Sequence, residues 1–458
     1  MTTINAKTRL TAAQILPLSF LAMIAVGALL LWLPFSTAPG ERTGPLTALF
    51  TATTSVCVTG LVVVETAAHW SLFGKIVILV LIQLGGIGII SVSSAAIFAL
   101  RRRMSLNDRV LLMQSFNLSR LSGLNEFLKR VMRGVFSIEF VGAVLYSIAF
   151  IPRYGAIRGL WYAVFTSISA FCNAGIDILG SDSLMSFSSD PLVLITTILL
   201  IVTGGLGYAV WFDIAEKLKL AFGNKRGLGF AIHRMNEHSK LVLALSLILI
   251  FGGAALELVF EFTNPSTLGG MSFGDKLLNA LFQSVTYRTA GFASISQKAL
   301  TEPSVLLGCV LMFIGGSPVG TAGGVKTVTL YIVLKNTVSY IRNRHDTVIF
   351  NRKVPARLIR EATAIALVSL MVALVFTVLL MLTNGTTLND SAFEVISAIC
   401  TVGLTRDLTP SLNVFGRLLI IVSMYLGRIG PISLALFFRT RSEAKNVVRD
   451  ADGKFIVG

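Results

Sequence analysis

The strongest constraint on this chain is a short segment that occurs four times. Thr54-Ser55-Val56-Cys57-Val58-Thr59-Gly60-Leu61, Ser169-Ala170-Phe171-Cys172-Asn173-Ala174-Gly175-Ile176, Val285-Thr286-Tyr287-Arg288-Thr289-Ala290-Gly291-Phe292 and Ser397-Ala398-Ile399-Cys400-Thr401-Val402-Gly403-Leu404 align without a gap. Their glycines lie 115, 116 and 112 residues apart. Self-similarity at a fixed period marks one structural unit used repeatedly, so whatever one segment does, four do together.

Each segment is flanked by long apolar runs, near residues 13–34, 74–100, 135–151, 191–215, 241–262, 303–314, 362–383 and 415–438. A bilayer-crossing helix needs about 20 mostly apolar residues. With 54% hydrophobic and only 14% charged residues, the chain is far more apolar than a water-soluble domain. The expected fold is all-α integral membrane, with eight transmembrane helices. The first run has the basic flank Lys7 and Arg9 but ends at Leu33-Pro34 without a small-residue cleavage pattern, so it reads as an uncleaved span. The cysteines Cys57, Cys172, Cys309 and Cys400 fall in or beside apolar stretches and do not suggest a disulfide framework.

The net charge of +16 is distributed unevenly. Of 39 basic residues, 28 fall at the N-terminus and in 101–133, 217–240, 335–360 and 439–454, alternating with basic-poor connections. That is the pattern of the positive-inside rule, and it places both termini in the cytoplasm. The basic surface then meets anionic lipid headgroups of the cell membrane rather than nucleic acid.

Before each repeated glycine lies a stretch of moderate hydrophobicity: Leu46 to Ser55, Gly159 to Ala170, Asp275 to Thr286 and Asp390 to Ala398. Such a stretch makes a half-helix, too short to cross the bilayer. Asp275 and Asp390 fall at helix starts, where acidic side chains suit the dipole. A half-helix followed by extended chain is a re-entrant loop, tolerated at membrane depth only when buried or lining a wet cavity. The unit is therefore helix, pore loop, helix (M1–P-loop–M2), repeated in pseudo-four-fold fashion around one pore. The divisions are 1–105, 106–224, 225–345 and 346–438, with a cytoplasmic tail at 439–458.

A second motif follows, its first glycine 24 to 29 residues after the loop glycine: Leu84-Gly85-Gly86-Ile87-Gly88, Thr203-Gly204-Gly205-Leu206-Gly207, Ile314-Gly315-Gly316-Ser317-Pro318 and Leu426-Gly427-Arg428-Ile429-Gly430. In the first two units this predicts close helix packing. In the third, Gly315, Gly316, Ser317, Pro318, Gly320, Thr321, Gly323 and Gly324 make a regular helix impossible. The 315–324 stretch is expected to be an intramembrane gate. It is not a phosphate-binding loop, because Val325 precedes Lys326-Thr327 and no strand leads in. In the fourth unit Arg428 replaces a glycine, and a cation at that depth would raise an electrostatic barrier.

A cation pore must replace the ion's water, and carbonyl oxygens do so without fixed negative side chains. Four equivalent loops predict a selectivity filter from Val58, Thr59 and Gly60; Asn173, Ala174 and Gly175; Thr289, Ala290 and Gly291; and Thr401, Val402 and Gly403. Arg288 is expected to point away from the axis and support the filter by holding the loop through carbonyl or carboxylate partners, with Glu65 and Glu394 as candidates. The four histidines and scattered carboxylates form no catalytic or metal constellation, so the chain does not read as an enzyme.

In combination, these filter segments resemble the Trk/Ktr/HKT superfamily of potassium transporters over essentially the whole chain. Having four units without an extra N-terminal helix pair, the sequence looks like a Ktr-type membrane subunit. The resemblance implies a homodimer with one pore per subunit, K+ as substrate and Na+ as a possible activator. It also implies a cytosolic RCK-type (KtrA-like) regulatory ring that carries the nucleotide, ATP or ADP, since no nucleotide motif exists in this chain. The leading expectation is gated, channel-like potassium uptake, and the alternative is a sodium-coupled potassium symporter.

Overall fold

The computed structural model describes residues 12–88, 124–223, 225 and 227–430. The expected basic flank at Lys7 and Arg9, the basic residues of 101–123, the ends of the apolar runs 74–100 and 415–438, and the 439–458 tail lie outside the described residues.

The order of elements repeats. The first quarter has α1 (Ala12–Trp32), α2 (Pro45–Cys57), a single turn at Thr66–His69, and α3 (Leu72–Ile87). The second has α4 (Leu124–Tyr154), α5 (Ala156–Cys172) and α6 (Pro191–Leu206), followed by α7 (Tyr208–Gly223) and α8 (Leu228–Arg234). The third has α9 (Glu237–Glu261), α10 (Phe273–Thr286), α11 (Glu302–Phe313) and α12 (Thr327–Ile341). After a two-residue-strand hairpin (β1, Val348–Ile349; β2, Arg352–Lys353), the fourth has α13 (Ala356–Asn384), α14 (Leu388–Ile399) and α15 (Val414–Ile429). In each quarter the leading helix packs along the short helix that follows it: α1 on α2, α4 on α5, α9 on α10 and α13 on α14.

Local chemistry sets the starts of the short helices and of those that follow. Pro45 and Pro191 occupy the first helical turn, where a missing N–H costs nothing. Asp190, Ser71 and Asn413 accept hydrogen bonds from the free amides of α6, α3 and α15. Ser272 and Thr387 cap α10 and α14 by accepting from the amides of Asp275 and Asp390, and each donates its hydroxyl to that same aspartate. These reciprocal caps explain why the two acidic residues sit where the sequence placed them.

Among the described helices Glu126–Tyr154, Glu237–Glu261 and Ala356–Asn384 are long and apolar enough to cross a membrane, and α6 with α7 forms a fourth candidate bent by 100°. The long helices expose apolar side chains: Leu247, Phe251 and Val259 on α9, and Leu370, Leu374 and Val378 on α13. The short helices are the inverse, with Phe50, Phe165, Phe282 and Phe393 fully buried at the centre. A centre of buried apolar and polar side chains inside an apolar rim is the arrangement lipid demands.

One expectation is corrected here. The run 191–215 is not one continuous helix, because Gly207 at φ +90 interrupts it. The equivalent helices α3 and α15 end before Gly88 and Gly430, at φ +92 and +84. Among the described residues the interruption is therefore found in the second unit as well as the third. In a membrane sequence glycine serves both tight packing and chain reversal, and the motif does both.

Candidate functional site

Each short helix ends on a left-handed residue that is not glycine or is followed closely by one: Val58 (φ 56), Asn173 (φ 59), Thr289 (φ 70) and Thr401 (φ 50). Two residues later each strand reaches a second left-handed position, at Gly60, Gly175, Gly291 or Gly403. Left-handed residues two apart break the up-down alternation of carbonyls seen in an ordinary strand.

The four strands meet. A methyl group built on Gly60 would lie 2.6 Å from the Ala174 carbonyl oxygen, and one on Gly175 would lie 2.6 Å from that of Ala290. One on Gly291 would lie 2.6 Å from the Val402 oxygen, and one on Gly403 would lie 2.1 Å from that of Thr59. Every glycine therefore touches the next unit's strand, and the fourth closes on the first. Glycine is required here on two counts, its positive φ and the absence of room for a side chain.

Hydroxyls brace the ring from behind in two ways. In the first and fourth units Thr54 Oγ1 and Ser397 Oγ accept from the amides of Gly60 and Gly403, both at 3.0 Å. In the second and third, Ser169 and Thr286 donate to the carbonyls just beyond, of Ile176 at 2.5 Å and Phe292 at 2.6 Å. The carbonyl ends of α2, α5, α10 and α14, which carry partial negative charge, run into these strands.

The second glycine motif packs against the same assembly. Methyls on Gly85, Gly204 and Gly427 would lie 2.1, 2.0 and 1.8 Å from the carbonyl oxygens of Val56, Phe171 and Ile399, each in the last turn of a short helix. The expected close packing is therefore present, with the short helix as the partner. Gly315 instead faces the Gly323 carbonyl, at 2.0 Å for an added methyl, because the chain of the third unit folds back on itself there.

That fold-back, 315–324, is held by hydrogen bonds to other units. Ser317 and Thr321 donate their amides to the carbonyls of Gly205 and Gly204, at 3.0 and 3.1 Å, and Tyr208 donates to the Val319 carbonyl at 3.0 Å. Gly316 donates to Gly323 and Thr327 to Gly316. The Gly323 amide donates to Thr289 Oγ1 at 3.1 Å, and a methyl on Gly323 would collide with Thr401 Oγ1. Gly320 packs on Gly204 and Gly205, and the Pro318 carbonyl lies under Gly207. The segment thus touches two strands of the ring at the residues where they leave their helices. Gly324, at φ +68, returns the chain to α12.

Arg428 joins this segment: Nη1 donates to the Thr321 carbonyl at 2.8 Å and Nη2 to the Gly85 carbonyl at 2.5 Å. Lys326 is a second cation that sequence reasoning weighed only as part of a failed phosphate loop. Its Nζ donates to the carbonyls of Ala322 at 2.6 Å and Gly323 at 3.4 Å. A lysine between the apolar runs 303–314 and 328–334 is the sequence signal for it. Two positive charges therefore hold consecutive carbonyls of one segment.

Arg288 departs from expectation. Neither Glu65 nor Glu394 is its partner. Glu394 accepts from Thr405 and Thr409, and Glu65 precedes the Thr66–His69 turn. Arg288 instead turns to α9, where Ser246 Oγ accepts from Nη2 at 3.4 Å. Carboxylate partners inferred from sequence alone cannot reveal which wall of the unit a side chain faces.

The TrkH family of cation transport proteins matches residues 5–449 of this chain. Ktr system potassium uptake protein B of Bacillus subtilis is 36% identical over 98% of this chain and 97% of its own length. The protein of the same name from Vibrio alginolyticus is 37% identical over 92% of this chain and 90% of its own. The potassium/sodium uptake protein NtpJ of Enterococcus hirae is 36% identical, covering 93% and 92%. The crystal structure of the potassium transporter TrkH from Vibrio parahaemolyticus superposes with a TM-score of 0.73 over 95% of this chain and 86% of that one, at 17% identity, which speaks to the fold alone. A ring of four repeated strands inside an apolar helical shell, matched over nearly its full length, places this multi-pass membrane chain in the TrkH family of cation transport proteins, which are ion transporters and not enzymes.

Proposed function

We propose that this chain is a potassium uptake pore, with the four glycine strands as its selectivity filter. The observation that carries this reading is the mutual contact of Gly60, Gly175, Gly291 and Gly403 in cyclic order. Carbonyls gathered on one axis replace the hydration shell of a monovalent cation, and four helix ends add negative potential there. Eight helices, α1, α3, α4, α6, α9, α11, α13 and α15, would cross or nearly cross the bilayer as four repeats, with both termini cytoplasmic. Uptake would be driven by the membrane potential, worth about 2.3 kcal/mol per charge per 100 mV.

The 315–324 segment would be the gate. It touches the ring at Thr289 and Thr401, and Arg428 and Lys326 hold it there while adding positive charge. Opening requires the Thr321 and Ala322 carbonyls to leave these cations. The names of the Bacillus and Vibrio relatives speak of a Ktr system, which supports a partner subunit; in our reading the chain would be a homodimer and that partner a cytosolic RCK-type ring that binds the nucleotide.

Growth of an uptake-deficient bacterium at low potassium, with and without such a ring subunit, tests the proposal. Rescue that disappears with Gly175→Ser supports it, and failure of the wild type with its partner to rescue overturns it. A sodium-coupled symporter is the second reading, favoured by the potassium/sodium description of the Enterococcus relative. Reversal potentials that follow the sodium gradient would select it.

A further inference from the structure

Arg288 is buried to all but 8% of its surface, and its Nε has no partner. No ion pair among the described residues includes it. The buried carboxylates do not pair with it. Glu139 is held by Gln83, Asp213 by Asn236, and Glu261 by Asn264, Thr267 and Thr301, while Glu257 accepts from the Tyr287 hydroxyl at 3.5 Å and keeps its Oε2 unpartnered. Glu394 is taken by its threonines. A guanidinium stays charged at any accessible pH, so this charge persists uncompensated, one residue from the ring strand that begins at Thr289.

The side chain borders a small cleft of about 10 Å³, room for one water-sized species, between α6, α9, α10 and the 315–324 segment. Ile201, Leu206 and Val285 supply apolar wall, and Gly205 and Gly316 supply backbone. Arg288 and Ser246 are the polar side chains of its lining. Ser246 Oγ accepts from the guanidinium, which leaves the serine's own proton to donate. Two donors and one full positive charge therefore border the same apolar space. A cation would be repelled there, and a neutral ligand would leave the charge in place.

We propose that Arg288 and Ser246 form a binding site for a small monovalent anion of halide size, seated in the cleft behind the third strand of the ring. Such an anion cancels the guanidinium's repulsion of a cation on the axis, and it sits against Gly316, the start of the loop. The site stands whether or not that loop gates the pore.

The test uses the full-length transporter in detergent with bromide replacing chloride, and X-ray data collected at the bromine absorption edge. An anomalous peak within hydrogen-bonding distance of Arg288 and Ser246 is expected. Ordered water there, or bromide peaks only elsewhere, overturns the proposal. A phospholipid headgroup in the cleft, in preparations retaining phosphatidylglycerol, would equally overturn the halide. The second arm is thermal stability against bromide at fixed potassium, with gluconate as the balancing anion, since a ligand of the folded state raises the melting temperature. Ser246→Ala keeps the cleft and the charge but removes one donor to a charged group, so its half-saturating bromide should rise about tenfold. Arg288→Gln should abolish the dependence. If Arg288→Gln does not fold, Ser246→Ala decides alone, and an unchanged half-saturation in it refutes the site.

Discussion

The ring of strands and the layer of helix breaks beside it follow opposite rules. At the ring, four units converge on one geometry: a left-handed residue, an intervening residue, then a left-handed glycine against its neighbour. At the breaks they diverge. The second unit turns by 100° at the single residue Gly207, while the third spends ten residues, 315–324, on the same interruption. The fourth puts Arg428 where a glycine stands in the first and second. In the proposed pore, repetition would be kept where an ion is surrounded evenly and given up where movement is controlled from one side.

The largest test of this contrast is Gly403→Ala. Its methyl would meet the Thr59 carbonyl at 2.1 Å in a residue held at φ +97. Rubidium uptake into proteoliposomes should fall by about a hundredfold or more, a barrier increase of about 3 kcal/mol. Uptake at the wild-type level in folded protein would break the claim that the ring must be even. Next, removal of residues 317–322 should raise uptake about tenfold, equivalent to about 1.4 kcal/mol off the barrier. Unchanged flux would return the segment to mere structural irregularity.

A smaller rise, about threefold, is expected for Arg428→Ala, which releases the Thr321 carbonyl but leaves Lys326 in place. If Lys326→Met adds to it in the double variant, the two cations act as parallel latches. The smallest effect sharpens the contrast from outside. Ser272→Ala removes a cap from α10 far from the breaks, should cost about 1 kcal/mol of stability, and should leave uptake unaltered in a thermal-shift and flux comparison.

The repeated architecture was legible because four-fold recurrence multiplies a weak signal: Gly60 alone is a loop glycine, whereas four in register define an axis. The caps at Asp275 and Asp390 were legible because a capping pattern is local. What lay hidden depended on direction in space. Gly207 reads as a packing residue, since nothing local says that a helix bends at it. Arg288 carried a visible need for compensation, but its facing wall, Ser246, lies 42 residues away in sequence. Lys326 stays hidden in the sequence because Lys326-Thr327 resembles the end of a nucleotide motif, and the carbonyls that it holds, Ala322 and Gly323, reach it only through the fold-back.

The two modes of bracing have a consequence for how such a ring evolves. Thr54 and Ser397 restrain amides, whereas Ser169 and Thr286 restrain carbonyls, so the quarters are similar in outline and distinct in support. In an assembly of four identical subunits one codon change alters every quarter at once. In this fused chain a single substitution alters one quarter and leaves three untouched, so if the ring is the proposed filter, ion preference is open to gradual adjustment.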